Sequence, residues 1–90
     1  RQAELQQVRE SLVLVAARFA TVRGTLQSLQ RSQAASGLGL RADISEAATL
    51  ANTFLDGAKS ALQAGDAAAA RGFTDKAERQ VERIEKFLGR

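Results

Sequence analysis

Proline, cysteine, histidine, methionine, tryptophan and tyrosine are all missing from this chain of 90 residues, and phenylalanine occurs four times. Each absence removes a chemistry. Without cysteine or histidine there is no disulfide, zinc finger, catalytic thiol, imidazole base or histidine-ligated haem. Without proline, nothing in the sequence breaks a helix outright. Long apolar runs are missing too. The longest, Leu12 to Ala20, is interrupted by Arg18, whereas a membrane-spanning helix needs about 20 apolar residues. Acidic residues are absent between Ser11 and Ala42, where four arginines give +4, while the other 58 residues sum to −1. The chain opens without methionine and in mid-pattern at Arg1-Gln2-Ala3-Glu4, which reads as a piece of a larger protein. Zero cysteine fits either redox environment, so the compartment is not legible.

What is present points to helices. Alanine fills 18 positions and 26% of residues are charged; such an alanine-, glutamate- and arginine-rich make-up suits long helices or coiled coils. At 9.6 kDa the chain is one domain, residues 1–90. Leu5, Val8, Leu12, Val15, Phe19, Val22, Leu26 and Leu29 recur at alternating spacings of 3 and 4, the a/d seam of a heptad pattern. The seam predicts a first helix over about 2–35, stopped at Ser36-Gly37, where glycine can take the left-handed conformation that satisfies the last carbonyls. Gly24 inside it costs about 1 kcal/mol against alanine.

Residues 36–40 form the first connection, with Leu38 and Leu40 expected to tuck onto the end of the bundle. A second helix, about 43–64, is expected to start at a capping box of Asp43 and Glu46. Its apolar stripe runs from Ile44 through Ala47, Ala51, Phe54, Leu55 and Ala58 to Leu62. Gly65 then ends it, and Asp66 caps a third helix over about 66–88, with Ala70, Phe73, Ala77, Val81, Ile84 and Leu88 turned inward. So tight a turn makes the two helices antiparallel neighbours. Reflection about the turn sets Phe54 level with Ala77, Phe73 level with Ala58, and Phe87 near Ile44, large against small. Gly57 and Gly72 are places for close backbone approach. Asp75–Arg79 and Glu82–Lys86 are expected as i,i+4 ion pairs on the outer face. The predicted fold is all-α, an antiparallel three-helix bundle with a long, overhanging first helix.

The overhang follows from lengths. At 1.5 Å per residue the first helix spans about 50 Å and the others about 33 Å each. If the second helix folds straight back, it reaches only to about residue 14, leaving Leu5, Val8 and Leu12 uncovered, with Val13 and Leu14 adding a second apolar face. An exposed apolar patch marks a contact surface, so Leu5, Val8, Leu12, Val13 and Leu14 are the candidate interface. Its expected occupant is a second copy, as a homodimer, or a helical protein partner.

Catalytic signals are lacking. No serine or threonine sits in a G-x-S-x-G or S-x-x-K setting. The segment Ser36-Gly37-Leu38-Gly39-Leu40 lacks the strand, third glycine and lysine of a phosphate loop. Glu78, Glu82 and Glu85 share a helix face, but di-metal bundles also need Glu-x-x-His; they read as a solvated, ion-paired face. No metal and no cofactor is expected. Arg18, Arg23, Arg31 and Arg41 are sparse and have no spare aromatic for base stacking, and the first three lie at different azimuths around the first helix. They are expected to bridge to acids of the other helices or flank an interface, and nucleic acid is not the expected partner. Membrane contact would come only through flanking segments. Two alternatives remain open: a ligand-sensing helical bundle of a receptor, and a weak basic binder of nucleic acid or lipid surfaces.

Two resemblances add context. The stretch Ala61-Leu62-Gln63-Ala64-Gly65-Asp66-Ala67-Ala68-Ala69-Ala70 resembles the helix junction of tetratricopeptide-type repeats, although the rest of that signature and any 34-residue repeat are missing. Arg41-Ala42-Asp43-Ile44, Ala64-Gly65-Asp66, Ala77-Glu78-Arg79-Gln80-Val81-Glu82-Arg83-Ile84-Glu85 and Lys86-Phe87-Leu88-Gly89-Arg90 are similar to a helical-hairpin accessory segment of bacterial serine/threonine protein kinase-like proteins. That likeness covers just over half of the chain. It implies a regulatory or assembly role in signalling and no phosphotransfer, since no Gly-rich loop, H-R-D or D-F-G is present. The expected function is a non-catalytic protein–protein interaction or oligomerisation module.

Overall fold

The computed structural model describes residues 2–35, 37 and 41–90. Three helices account for nearly all of them: α1 (Gln2–Ala35), α2 (Ala42–Gln63) and α3 (Ala67–Phe87). Among the described residues there is no strand. The fold is an all-α three-helix bundle in which α2 and α3 form the most intimate pair and α1 lies along them, more against α3 than against α2. Leu38 and Leu40, expected to cover the bundle end, lie outside the described residues.

The α2–α3 turn is built by three residues with distinct jobs. Gly65 takes φ +75°, which lets the Gly65 amide donate to Leu62 O at 3.0 Å and the Asp66 amide donate to Ala61 O at 2.9 Å. This pair of bonds is the Schellman closure of a helix end. Asp66 then caps α3, its carboxylate accepting from the Ala69 amide at 3.0 Å. Gly89 repeats the same closure at the end of α3, with φ +78° and the Arg90 amide on Glu85 O at 2.8 Å.

The start of α2 differs from expectation. The cap position is Arg41, whose side chain makes no cap hydrogen bond. Asp43 lies inside the first turn, and its carboxylate accepts from the Arg41 guanidinium at 2.8 and 3.1 Å. The capping box therefore does not form. A forked arginine two residues away competes for the same carboxylate, which still sits favourably at the positive end of the helix. That guanidinium holds the Asp43 carboxyl below its ordinary pKa, and Arg41 also lies over the Phe87 ring at 5.3 Å.

The seam of α1 is the spine of the core. Val8, Leu12, Val15, Phe19, Val22 and Leu26 are buried against Ile44, Leu55, Val81, Ile84 and a run of fully buried alanines. Ala47, Ala51, Ala58, Ala70 and Ala77 keep the axes close, so the large residues of one helix meet the small ones of another. Gly57 has a specific use. A Cβ there would come within 3.0 Å of the Phe73 ring, whereas one at Gly72 would meet nothing within 4 Å. Only the first glycine is a place of close approach.

Candidate functional site

The expected overhang exists at the opposite end of α1. The long axis of the molecule, 51 Å, is about the length of α1 alone at 1.5 Å per residue. The α2–α3 turn sits beside Glu4 and Leu5, with Ala64 to Ala68 facing them across an open groove. At the other end of the hairpin, Arg90 donates to the Thr25 hydroxyl at 3.0 Å. The hairpin thus covers α1 from about Glu4 to Leu26, and the remaining nine residues of α1, about 14 Å of helix, run past it.

Two of the five expected interface residues are therefore corrected. Val8 is 1% exposed and Leu12 is 5% exposed; both belong to the core of a single molecule. Leu5 is half-buried beside the turn. The physical reason lies in the balance of burial along α1. The hairpin is centred on the apolar seam from Val8 to Leu26, and past it lies the stretch Gln30-Arg31-Ser32-Gln33-Ala34-Ala35, which has no large apolar side chain to bury. Folding straight back would expose Val8 and Leu12, and each costs about 1.5–3 kcal/mol when left in water.

The remaining pair stays outside. Val13 is 61% and Leu14 66% exposed, the exposed large hydrophobics among the described residues. They line a shallow groove with Gln6, Arg9 and Glu10 on the outer face of α1. The face continues beyond them. Val13, Ala17, Ala20, Gly24 and Arg31 fall within about 60° of arc at 100° per residue, roughly opposite the seam, and all are exposed. No charge projects from this strip between Glu10 and Arg31. Of the two arginines in that interval, Arg18 turns to α3 and Arg23 lies over the Phe19 ring at 5.3 Å. Ala17, Ala20, Thr21 and Gly24 were missed in the sequence; the signal that could have found them is the same 3/4 spacing read on the far side of the helix, together with the missing acids.

Arg18 ties α1 to α3. Its guanidinium donates to Glu78 at 2.8 Å and to both Glu85 carboxylate oxygens at 2.7 and 3.2 Å. The hydrogen bond from Arg18 is the largest influence on Glu85, whose pKa it holds below the usual carboxylate value. Arg18 itself is raised, chiefly by Glu85. Among the described residues, neither Asp75–Arg79 nor Glu82–Lys86 forms an ion pair, because long surface side chains gain too little from pairing to be held in one geometry. Lys76 lies over the Phe54 and Phe73 rings at 5.8 and 5.9 Å, shielding aromatics that are only half-buried.

Among the described residues no set of three acids is placed to hold a metal ion, and no helix is long and apolar enough to cross a membrane. No known protein family, curated protein or solved structure matches the chain.

Proposed function

We propose that this chain is a non-catalytic helical protein–protein interaction module that docks through the outer face of α1. The observation that carries the reading is the exposure of Val13 and Leu14, 61% and 66%, side by side on a helix whose seam from Val8 to Leu26 is buried. A β-branched and a γ-branched side chain kept in water on a rigid helix, next to an uncharged strip of small residues, suit burial against another helix. The α2–α3 hairpin acts as the brace. It holds α1 straight through the seam and the Arg18 clamp, so the outer face is presented preorganised, with little ordering left to do on binding. The likeness of Arg41 to Arg90 to an accessory hairpin of kinase-like signalling proteins supports a regulatory or assembly setting for this docking.

The test is a photo-crosslinking side chain placed at Leu14 and, as a control, at Asn52 on the exposed side of α2, each in the chain expressed in its own cells. Protein adducts from position 14 and none from position 52 are expected. Equal yields from the two positions, or none from either, would remove the reading.

A further inference from the structure

We infer that the occupant of this face is a second copy of the same chain, bound antiparallel about a two-fold axis passing between Ala20 and Thr21. The inference rests on the reading of the outer α1 face as a docking surface and adds the partner and its register.

Charge placement selects this arrangement. Glu10 and Arg31 bound the neutral strip at its two ends, with Arg9 beside Glu10 and donating to Gln6 at 3.3 Å; all three charged residues are exposed. Among the described residues each bonds neutral neighbours on its own helix: Gln6 donates to Glu10 at 3.2 Å and Arg31 donates to Ser28 at 3.5 Å. A two-fold axis between residues 20 and 21 pairs position i of one copy with position 41 − i of the other. Glu10 then stands level with Arg31 of the second copy, and Arg31 with its Glu10, so both ends close with opposite charges. A parallel pairing would set Glu10 against Glu10 and Arg31 against Arg31, which opposes association.

Size matches at the same register. Ala17 comes level with Gly24, and Ala20 with Thr21, so backbones can approach at the short end of helix–helix distances, about 8 Å. Val13 comes level with Ser28, where the valine meets a small side chain, and Leu14 lies at the flank of the same contact. The α2–α3 hairpin lies on the opposite side of α1 and does not obstruct the pairing. A strip about 31 Å long from Glu10 to Arg31 buries less than the roughly 1,200 Å² of a standard interface. The dimer is therefore weak, reversible and dependent on concentration.

Sedimentation equilibrium from micromolar to millimolar protein tests this, alongside a melting curve for each variant. The wild type is expected to shift reversibly from monomer to dimer mass. Glu10→Arg and Arg31→Glu each replace two attractive pairs by repulsive ones and should each weaken dimerisation about tenfold. The double variant Glu10→Arg/Arg31→Glu should restore it, and none should change the melting temperature, since both residues are exposed. A wild type that stays monomeric throughout, or single reversals that leave the dimer unchanged, would overturn the inference. Position 14 adducts to a different protein together with a monomeric chain would refute self-pairing while leaving the docking reading intact; absent adducts would remove both.

Discussion

Replacing Val8 and Val13 by alanine, one at a time, separates the two faces of α1 cleanly. The residues are the same, five positions apart on one helix, and differ only in what covers them. Val8 is 1% exposed and packs with Ala61 and Ala70 where the hairpin turns. Val8→Ala removes two buried methyl-sized groups at about 0.8 kcal/mol each, and the cavity left behind adds to that, for about 2 kcal/mol in all. In a domain of this size 1 kcal/mol moves Tm by roughly 4–8 °C, so the loss should lie near 10 °C. Val13, 61% exposed, gives up no core contact. Alanine is the better helix former by about half a kcal/mol, so Val13→Ala should leave Tm unchanged or slightly higher. Thermal unfolding followed by circular dichroism at low protein concentration reads both. Equal shifts for the two variants, or a Val8→Ala melt within 2–3 °C of wild type, would refute the placement of the hairpin, because a hairpin starting at the far end of α1 leaves Val8 in water.

The interior glycines of the hairpin should also part company. Gly72→Ala meets no neighbour and should gain close to the ~1 kcal/mol helix advantage of alanine, while Gly57→Ala forces the Phe73 ring away from a 3.0 Å contact and should melt below Gly72→Ala. Chemical denaturation of the two variants decides it, and equal stabilisation would contradict the close approach. The Arg18 clamp predicts a pH signature. The Glu85 pKa is lower folded than unfolded, so folding releases a proton and stability rises with pH through the carboxylate range, reaching its full value above the unfolded pKa of about 4.3. The gap in unfolding free energy between wild type and Arg18→Met, about 1 kcal/mol because the pairs are partly solvated, should be complete at neutral pH and shrink as pH falls below that value; a gap that is flat down to strong acid would sink the clamp. Amide hydrogen exchange should be slowest from Val8 to Leu26 and fast from Gln30 to Ala35. Protection centred on the last third of α1 would argue for the opposite register.

The parts of this fold legible in the sequence are those set by local chemistry. The 3/4 seam of α1 works because any partner must lie on that stripe, and Gly65-Asp66 works because one left-handed residue followed by one carboxylate closes one helix and opens the next. The expected helix spans, about 43–64 and 66–88, sit within a residue of Ala42–Gln63 and Ala67–Phe87. What local chemistry leaves open is placement. How far the hairpin slides along α1 depends on the balance of seam burial over the whole length. The polar stretch from Gln30 to Ala35 was the available sign that the far end needed no cover. The candidate interface was legible only in part for the same reason, since Val13 and Leu14 are off the seam whatever the register, while Val8 and Leu12 change from exposed to buried with a slide of ten residues. Asp43 is the small-scale version: its carboxylate has two possible partners, and spacing alone does not decide between a backbone amide and Arg41.

A dilution series of two-dimensional 1H–15N spectra tests the docking face most directly, since it reports every backbone amide at once. Peaks of Val13, Leu14, Ala17, Ala20, Thr21 and Gly24 should move with concentration while those of the exposed sides of α2 and α3 stay fixed. Movement centred on α2 or α3, with outer α1 unchanged, would contradict the account.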